Sequence, residues 1–233
     1  MIDKEQLNIH SESYIRIVEK SDGLLYTKFV NRRLAWYFTK HLYTFSPNII
    51  SLSAFILLLL GAFLFYQPSN YIISITLYFV LAINYVLDST DGQVARLTRK
   101  GSPIGEWLDH SLDGIKIVIV NYLLIDIVIS NGDYKHSLIW LFLPLIGQIG
   151  LYVTGLLSEK ILKSGTDKKS VKAKSNKISF KNILLSPLDY GIFIIIFVIT
   201  PNVELLTSVY IAYGFYYIIA LLAMMLKTFI THK

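Results

Sequence analysis

Residues 88–113 read Asp-Ser-Thr-Asp-Gly-Gln-Val-Ala-Arg-Leu-Thr-Arg-Lys-Gly-Ser-Pro-Ile-Gly-Glu-Trp-Leu-Asp-His-Ser-Leu-Asp, with an apolar run of membrane-spanning length on either side. Asp88 and Asp91 are spaced i,i+3, and Asp109 and Asp113 are spaced i,i+4, so each pair falls on one side of a helix. The stretch predicts the end of one helix, a basic loop and the start of the next, with four carboxylates aimed at a common centre. Several charges of one sign at a membrane edge are costly unless a cation neutralises them. The cluster therefore reads first as a metal site.

Outward from this stretch, the 233 residues are 54% hydrophobic and only 16% charged, with a mean hydropathy of +0.52. A soluble domain of this length carries a larger charged surface, so the reading is an all-α polytopic membrane protein. Six spans are expected, at about 48–66, 71–90, 104–129, 137–159, 183–200 and 203–226, each near the ~20 residues that cross a bilayer. Breaks between them fall at Gln67-Pro68-Ser69-Asn70, the basic loop after Arg96, Asn131-Gly132-Asp133, the Lys-rich stretch after Lys160, and Pro201-Asn202. Glu5, Glu12, Glu19 and Asp22 make the first 47 residues too polar for a cleaved signal peptide. The organisation read from this is a cytoplasmic segment, 1–47, followed by a six-helix transmembrane catalytic domain, 48–233.

Of the 22 lysines and arginines, all but Lys116 and Lys135 fall in the N-terminal segment, the loop after span two, the segment after span four, or the C-terminal end. Cytoplasmic loops keep the positive residues, so both termini and the Asp cluster are expected to face the cytoplasm, across the inner membrane if the cell is prokaryotic. The net charge of +6 then reflects topology and attraction to anionic lipid headgroups. Nucleic acid is not an expected partner, because the basic residues are dispersed over separate loops. Within 24–43, Tyr26, Val30, Leu34 and Tyr37 share a helical face opposite Lys28, Arg32 and Thr39. This predicts an amphipathic helix in the membrane interface, the alternative being a helix packed on the cytoplasmic loops.

With no cysteine, any metal must be held by oxygen or His. Oxygen-only ligation suits Mg²⁺, Mn²⁺ or Ca²⁺, and a Mg²⁺ site commonly shares its ion with substrate phosphates. Gly92 and Gly105 admit a ligand close to the backbone, and Arg96 offers a planar fork for phosphate oxygens. Together these parts describe a site for a diphosphate ester with metal.

The spacing Asp-x2-Asp-Gly-x2-Ala-Arg-x8-Gly-x3-Asp-x3-Asp resembles the signature of the CDP-alcohol phosphotransferase (CDP-alcohol phosphatidyltransferase) family, with every fixed position present. Pro47-Asn48-Ile49-Ile50-Ser51 resembles the element that opens that family's first span, so the motif likeness covers roughly 21 to 116. The resemblance implies transfer of a substituted phosphate from a CDP-alcohol to an acceptor hydroxyl with release of CMP. It implies that Asp88, Asp91 and Asp109 ligate Mg²⁺ or Mn²⁺, and that Asp113 is the base for the acceptor proton while also touching the metal site. It further implies that Asp91, Gly92, Ala95, Arg96 and Gly105 line the CDP pocket. Asn48 and Ser51 are either substrate contacts or simply a helix start after Pro47.

Substrate choice is divided. Ser102-Pro103 through Asp113 resembles the branch that uses CDP-choline or CDP-ethanolamine with diacylglycerol, whereas Asp22-Gly23 and Asn31-Arg32 resemble the inositol-phosphate branch. Members that accept an alcohol phosphate hold it with late arginines, and no Arg follows Arg99 here, leaving Lys116 or Lys160 as point-charge substitutes. The expectation leans to a CDP-linked small alcohol and a lipid acceptor, the alternative being a CDP-diacylglycerol donor with inositol or glycerol phosphate. An intramembrane prenyltransferase would carry its Asp motifs on well-separated helices. A cation transporter would continue polar residues across the bilayer, where this chain has Ile117-Val118-Ile119-Val120 and Phe193-Ile194-Ile195-Ile196-Phe197. Glu106 reads as a support for Asp109 or a helix cap, and His110 as a packing residue. Gly147, Gly150 and Gly155 are close-packing positions, either within the chain or across a homodimer.

Overall fold

Every regular element of the computed structural model is helical, among the residues it describes, which are 4–9, 11–21, 23–66, 70–131, 138–164 and 180–231. The expected breaks at 67–69 and 132–137, Lys135, and the Lys-rich stretch at 165–179 lie outside them. After short helical turns at Lys4–Leu7, Glu12–Tyr14, Ile15–Glu19 and Thr27–Asn31 come α1 (Arg32–Leu42), α2 (Pro47–Leu64), α3 (Tyr71–Thr98), α4 (Pro103–Asn131) and α5 (Ile139–Ser164). Helical pieces at Phe180–Leu184 and Ser186–Leu188 lead into α6 (Tyr190–Ile199), and the last helix is α7 (Val203–Thr231).

Local chemistry sets the helix starts. Pro47 occupies the first turn of α2, where its missing N–H costs nothing. Asn70 caps α3 by accepting the Ile73 N–H at 3.0 Å. Ser102 does the same for α4, accepting the Gly105 N–H at 3.1 Å. α3 ends at Arg99 in the left-handed region (φ 56°), which turns the chain within four residues into α4.

α2, α3, Ile139–Ile161 of α5 and Val203–Ile230 of α7 are each long and apolar enough to cross a membrane. α4 covers the expected third span over 29 residues and buries Lys116 within it. The fifth expected span, 183–200, departs from an even helix. Ser186-Pro187 and the Asp189 cap interrupt it, and α6 retains ten residues, six of them in the tighter 3-10 geometry. At a rise of about 1.5–2 Å per residue such a segment spans roughly 15–20 Å, short of a ~30 Å hydrocarbon layer. Instead it sits in the bundle core, where Phe193, Ile194 and Phe197 pack with Leu58, Leu81, Leu124 and Leu206.

Outward, the bundle is apolar: Phe63 is 81% exposed and Ile72 78%, a surface suited to lipid and not to water. Gly147 and Gly150 lie where α5 meets α7, and a Cβ on either would stand 2.5 Å from Tyr217 or Leu221. Both are thus consumed by packing inside the chain. Deeper in, the Tyr210 hydroxyl donates to Asn121 Oδ1 at 2.7 Å, and Asn121 donates to Gln148 Oε1 at 2.9 Å, joining α4, α5 and α7. Hydrogen bonds of this kind contribute on the order of 0.6–2 kcal/mol each in a membrane interior.

α1 lies against α3 and not apart from it. Asn31, Ala35, Trp36 and Thr39 face inward, and Thr39 Oγ1 donates to Gln93 Oε1 at 2.9 Å while Gln93 donates to the Arg32 carbonyl at 2.8 Å. Thr39, expected on the exposed polar face, is buried because Gln93 of α3 gives it a partner. Val30, Leu34 and Tyr37 remain exposed as one apolar strip, whereas Tyr26 turns away to pack on Gly191. A second small core of Tyr14, Ile17, Val18, Trp36 and Leu97 ties the first residues to the end of α3.

Candidate active site

The Arg99–Ser102 turn brings the last turns of α3 beside the first turns of α4, and the four aspartates meet there. Carboxylate oxygens of Asp88, Asp91 and Asp109 all lie within 4.8 Å of one another, as do ligand atoms of Asp109, His110 and Asp113. The site has two sides. On the first, a cavity of about 460 Å³ is walled by Asn48, Ser51, Asp91, Gly92, Ala95, Arg96, Gly105 and Asp109. On the second, Asp88 and Asp113 both reach the ammonium of Lys116, at 3.1 and 2.6 Å.

Each wall residue has a physical reason to be there. Ser51 donates its hydroxyl to Asp91 Oδ2 and so orients the carboxylate, which is only 5% exposed. Gly92 leaves room for the Arg96 guanidinium, which a Cβ would approach to 3.2 Å. Gly105 allows the start of α4 to approach Asn48, whose Oδ1 would stand 3.0 Å from any Cβ placed there. Small residues thus shape a slot between helices, and Arg96 at its edge supplies positive charge within reach of Asp91 and Asp109.

Across α4 lies a second cavity of about 510 Å³, lined by Glu106, Trp107, His110, Tyr152, Leu156 and Lys160 among others. Glu106 and Pro103 border both spaces. Glu106 is largely exposed and lies 3.9 Å from His110 Nε2, so its neighbour is His110. The Tyr152 hydroxyl donates to the His110 carbonyl at 2.5 Å. Among the residues expected from the sequence, Asp88, Asp91, Asp109 and Asp113 come together, and the nucleotide-side residues share one cavity.

A model of the CDP-alcohol phosphatidyltransferase family matches residues 44–231. The chain belongs to that family. An uncharacterized protein of Aquifex aeolicus (strain VF5) is 29% identical over 153 residues, 66% of this chain and 76% of the relative. As a family member, the protein is a transferase of substituted phosphate groups in phospholipid biosynthesis, and its apolar helices mark it as an integral membrane protein. Family members use divalent metal, and the donors here suit one: aspartate oxygens, four carboxylates in a small volume, only partly offset by the Lys116 ammonium and the Arg96 guanidinium.

Three contributions to the site were missed from sequence. Lys116 was offered from sequence only as a point charge for an acceptor phosphate and not as a partner of the aspartates, although its spacing of three from Asp113 places the two on one helical face. Tyr190 of α6 lies with its ring 5.4 Å from the Lys116 ammonium. Asp189, beside it, accepts both the backbone N–H and the hydroxyl of Thr27 at 2.8 Å, fastening the N-terminal segment behind the site. Nothing in local periodicity signals that long-range pair.

Proposed function

We propose that the 460 Å³ cavity takes the CDP moiety of a CDP-alcohol, and that the protein moves the substituted phosphate from it to an acceptor hydroxyl, releasing CMP. The observation that carries this is the convergence of Asn48, Ser51, Asp91, Gly92, Ala95, Arg96, Gly105 and Asp109 on one cavity wall, from three helices. Asp88, Asp91 and Asp109 would hold Mg²⁺ or Mn²⁺, with Asp113 at the edge of the same site. When bound, the metal would neutralise the diphosphate and stabilise CMP as leaving group. Arg96 contributes a guanidinium for phosphate oxygens at the mouth. Gly92, Ala95 and Gly105 let the nucleotide lie flat between helix ends, and Ser51 keeps the Asp91 carboxylate turned toward it. Asp113, one oxygen on Lys116, takes the acceptor proton on its other oxygen.

The donor is a CDP-linked small alcohol of the choline or ethanolamine type, and the acceptor a lipid hydroxyl. Two observations favour this. Lys116, a candidate for an acceptor phosphate, is engaged by Asp88 and Asp113, and the second cavity presents Trp107, Tyr152 and Leu156 to its occupant. The acceptor is assigned to that cavity. The chain is read with six membrane segments, α6 being partly embedded, with α1 in the interface through Val30, Leu34 and Tyr37 and with both termini cytoplasmic. Cysteines at positions 100 and 69 should then label from opposite sides of the membrane; labelling from one side would overturn that orientation.

The test of function is exchange of radiolabelled CMP into a panel of CDP-alcohols by the purified chain, with diacylglycerol, inositol phosphate and glycerol phosphate offered as acceptors. Exchange confined to CDP-diacylglycerol would reverse the donor assignment. No exchange with any CDP-alcohol, in protein that retains its helical content, would end the reading.

A further inference from the structure

The potential ligands of the site fall into two groups, the carboxylates Asp88–Asp91–Asp109 and the set Asp109–His110–Asp113, each compact enough for one ion. The groups are not equivalent. Lys116 stands 2.6 Å from Asp113 Oδ1 and 3.1 Å from Asp88 Oδ2, its side chain 8% exposed and the Tyr190 ring against its ammonium. A buried ammonium is retained only where close partners repay its lost hydration, and two aspartates and an aromatic face do so here. Asp88 can still offer its other oxygen to an ion, because a carboxylate has lone pairs enough for both. The first group keeps two further carboxylates, Asp91 and Asp109, whereas the second has only Asp109 besides Asp113, the closer partner of the ammonium, so a divalent ion there would have fewer carboxylates and a fixed positive charge at contact range.

We infer that Lys116 stands in for a second metal ion: the substrate-free protein binds one divalent cation, in the Asp88–Asp91–Asp109 group, and the Lys116 ammonium neutralises the Asp113 side. The charge balance agrees. Four carboxylates against Lys116, Arg96 and one divalent ion come to neutrality, Glu106 and Lys100 of the same wall offsetting each other, and a second divalent ion would leave an uncompensated excess. Lys116 is thereby a positioning residue, holding Asp113 toward the acceptor side without a metal bond. This inference rests on reading the Asp cluster as the metal site.

The test counts ions, not turnover. The full chain in detergent, stripped of metal, is titrated with Mn²⁺, and bound ion is measured from the loss of the free aquo-ion signal in electron paramagnetic resonance. One equivalent is expected for the wild type and two for Lys116→Met or Lys116→Gln, each checked for native helical content. Asp113→Asn should keep its one ion with affinity within about threefold, whereas Asp91→Asn should lose it. Two equivalents in the wild type would overturn the inference, as would loss of the ion in Asp113→Asn or a count of one in both folded Lys116 variants. No bound ion in wild type would instead sink the metal reading itself.

Discussion

Ser51, one turn into α2, donates its hydroxyl to the carboxylate of Asp91 on α3. The link joins Pro47-Asn48-Ile49-Ile50-Ser51 to the aspartate signature forty residues away, so the two sequence elements form one wall. Removing the donor leaves a nearly buried carboxylate short of a partner, which costs about 1–3 kcal/mol. Ser51→Ala should therefore weaken Mn²⁺ or Mg²⁺ binding by on the order of tenfold with little change in helical content. Calorimetric titration checks this, and unaltered affinity would mean that Asp91 needs no orienting donor.

Chelation should abolish transfer, and added Mg²⁺ or Mn²⁺ should restore it, because carboxylates this close to one another cannot accept a diphosphate without a cation. Activity that persists after verified metal removal would exclude the proposed chemistry.

Asp113→Asn and Asp91→Asn separate chemistry from binding. The first keeps size but loses the proton acceptor, so turnover should fall by about 10²-fold or more while CDP-alcohol binding survives. The second lies on the cavity wall and in the ion group, so it should weaken metal and nucleotide together. Equal loss of binding in both variants would move the base role to another group.

Gly147→Val tests the α5–α7 seam. Its first added carbon would stand 2.5 Å from the Tyr217 Cβ and 3.2 Å from the backbone behind it, which cannot move aside as a side-chain tip can. Overpacking of this kind costs about 1–3 kcal/mol, read as a lower melting temperature in detergent. A melting temperature equal to wild type would show that the seam opens without cost.

The aspartate site was legible because helical spacing is local: Asp88 with Asp91, and Asp109 with Asp113, declare a common side without any tertiary information. The small residues were legible for the same reason, being near the carboxylates in sequence. Lys116 was harder: its spacing from Asp113 is local, but its second partner, Asp88, lies on another helix. The broken segment at 183–200 was hidden because average hydropathy passes over Ser186-Pro187 and the Asp189 cap. Thr39 was placed outside because periodicity sees a polar atom and cannot see Gln93, fifty-four residues on, which satisfies it.

α4 also has a bearing on how the substrates meet. It stands between two cavities that share only Pro103 and Glu106 of their walls. If the first takes a nucleotide ester and the second a lipid alcohol, as proposed, molecules of opposite solubility need no common doorway. Neither would have to depart before its partner arrives, and the proposed transfer would run through a ternary complex. Initial-rate lines will intersect, and CMP will compete with the nucleotide donor but not with the lipid.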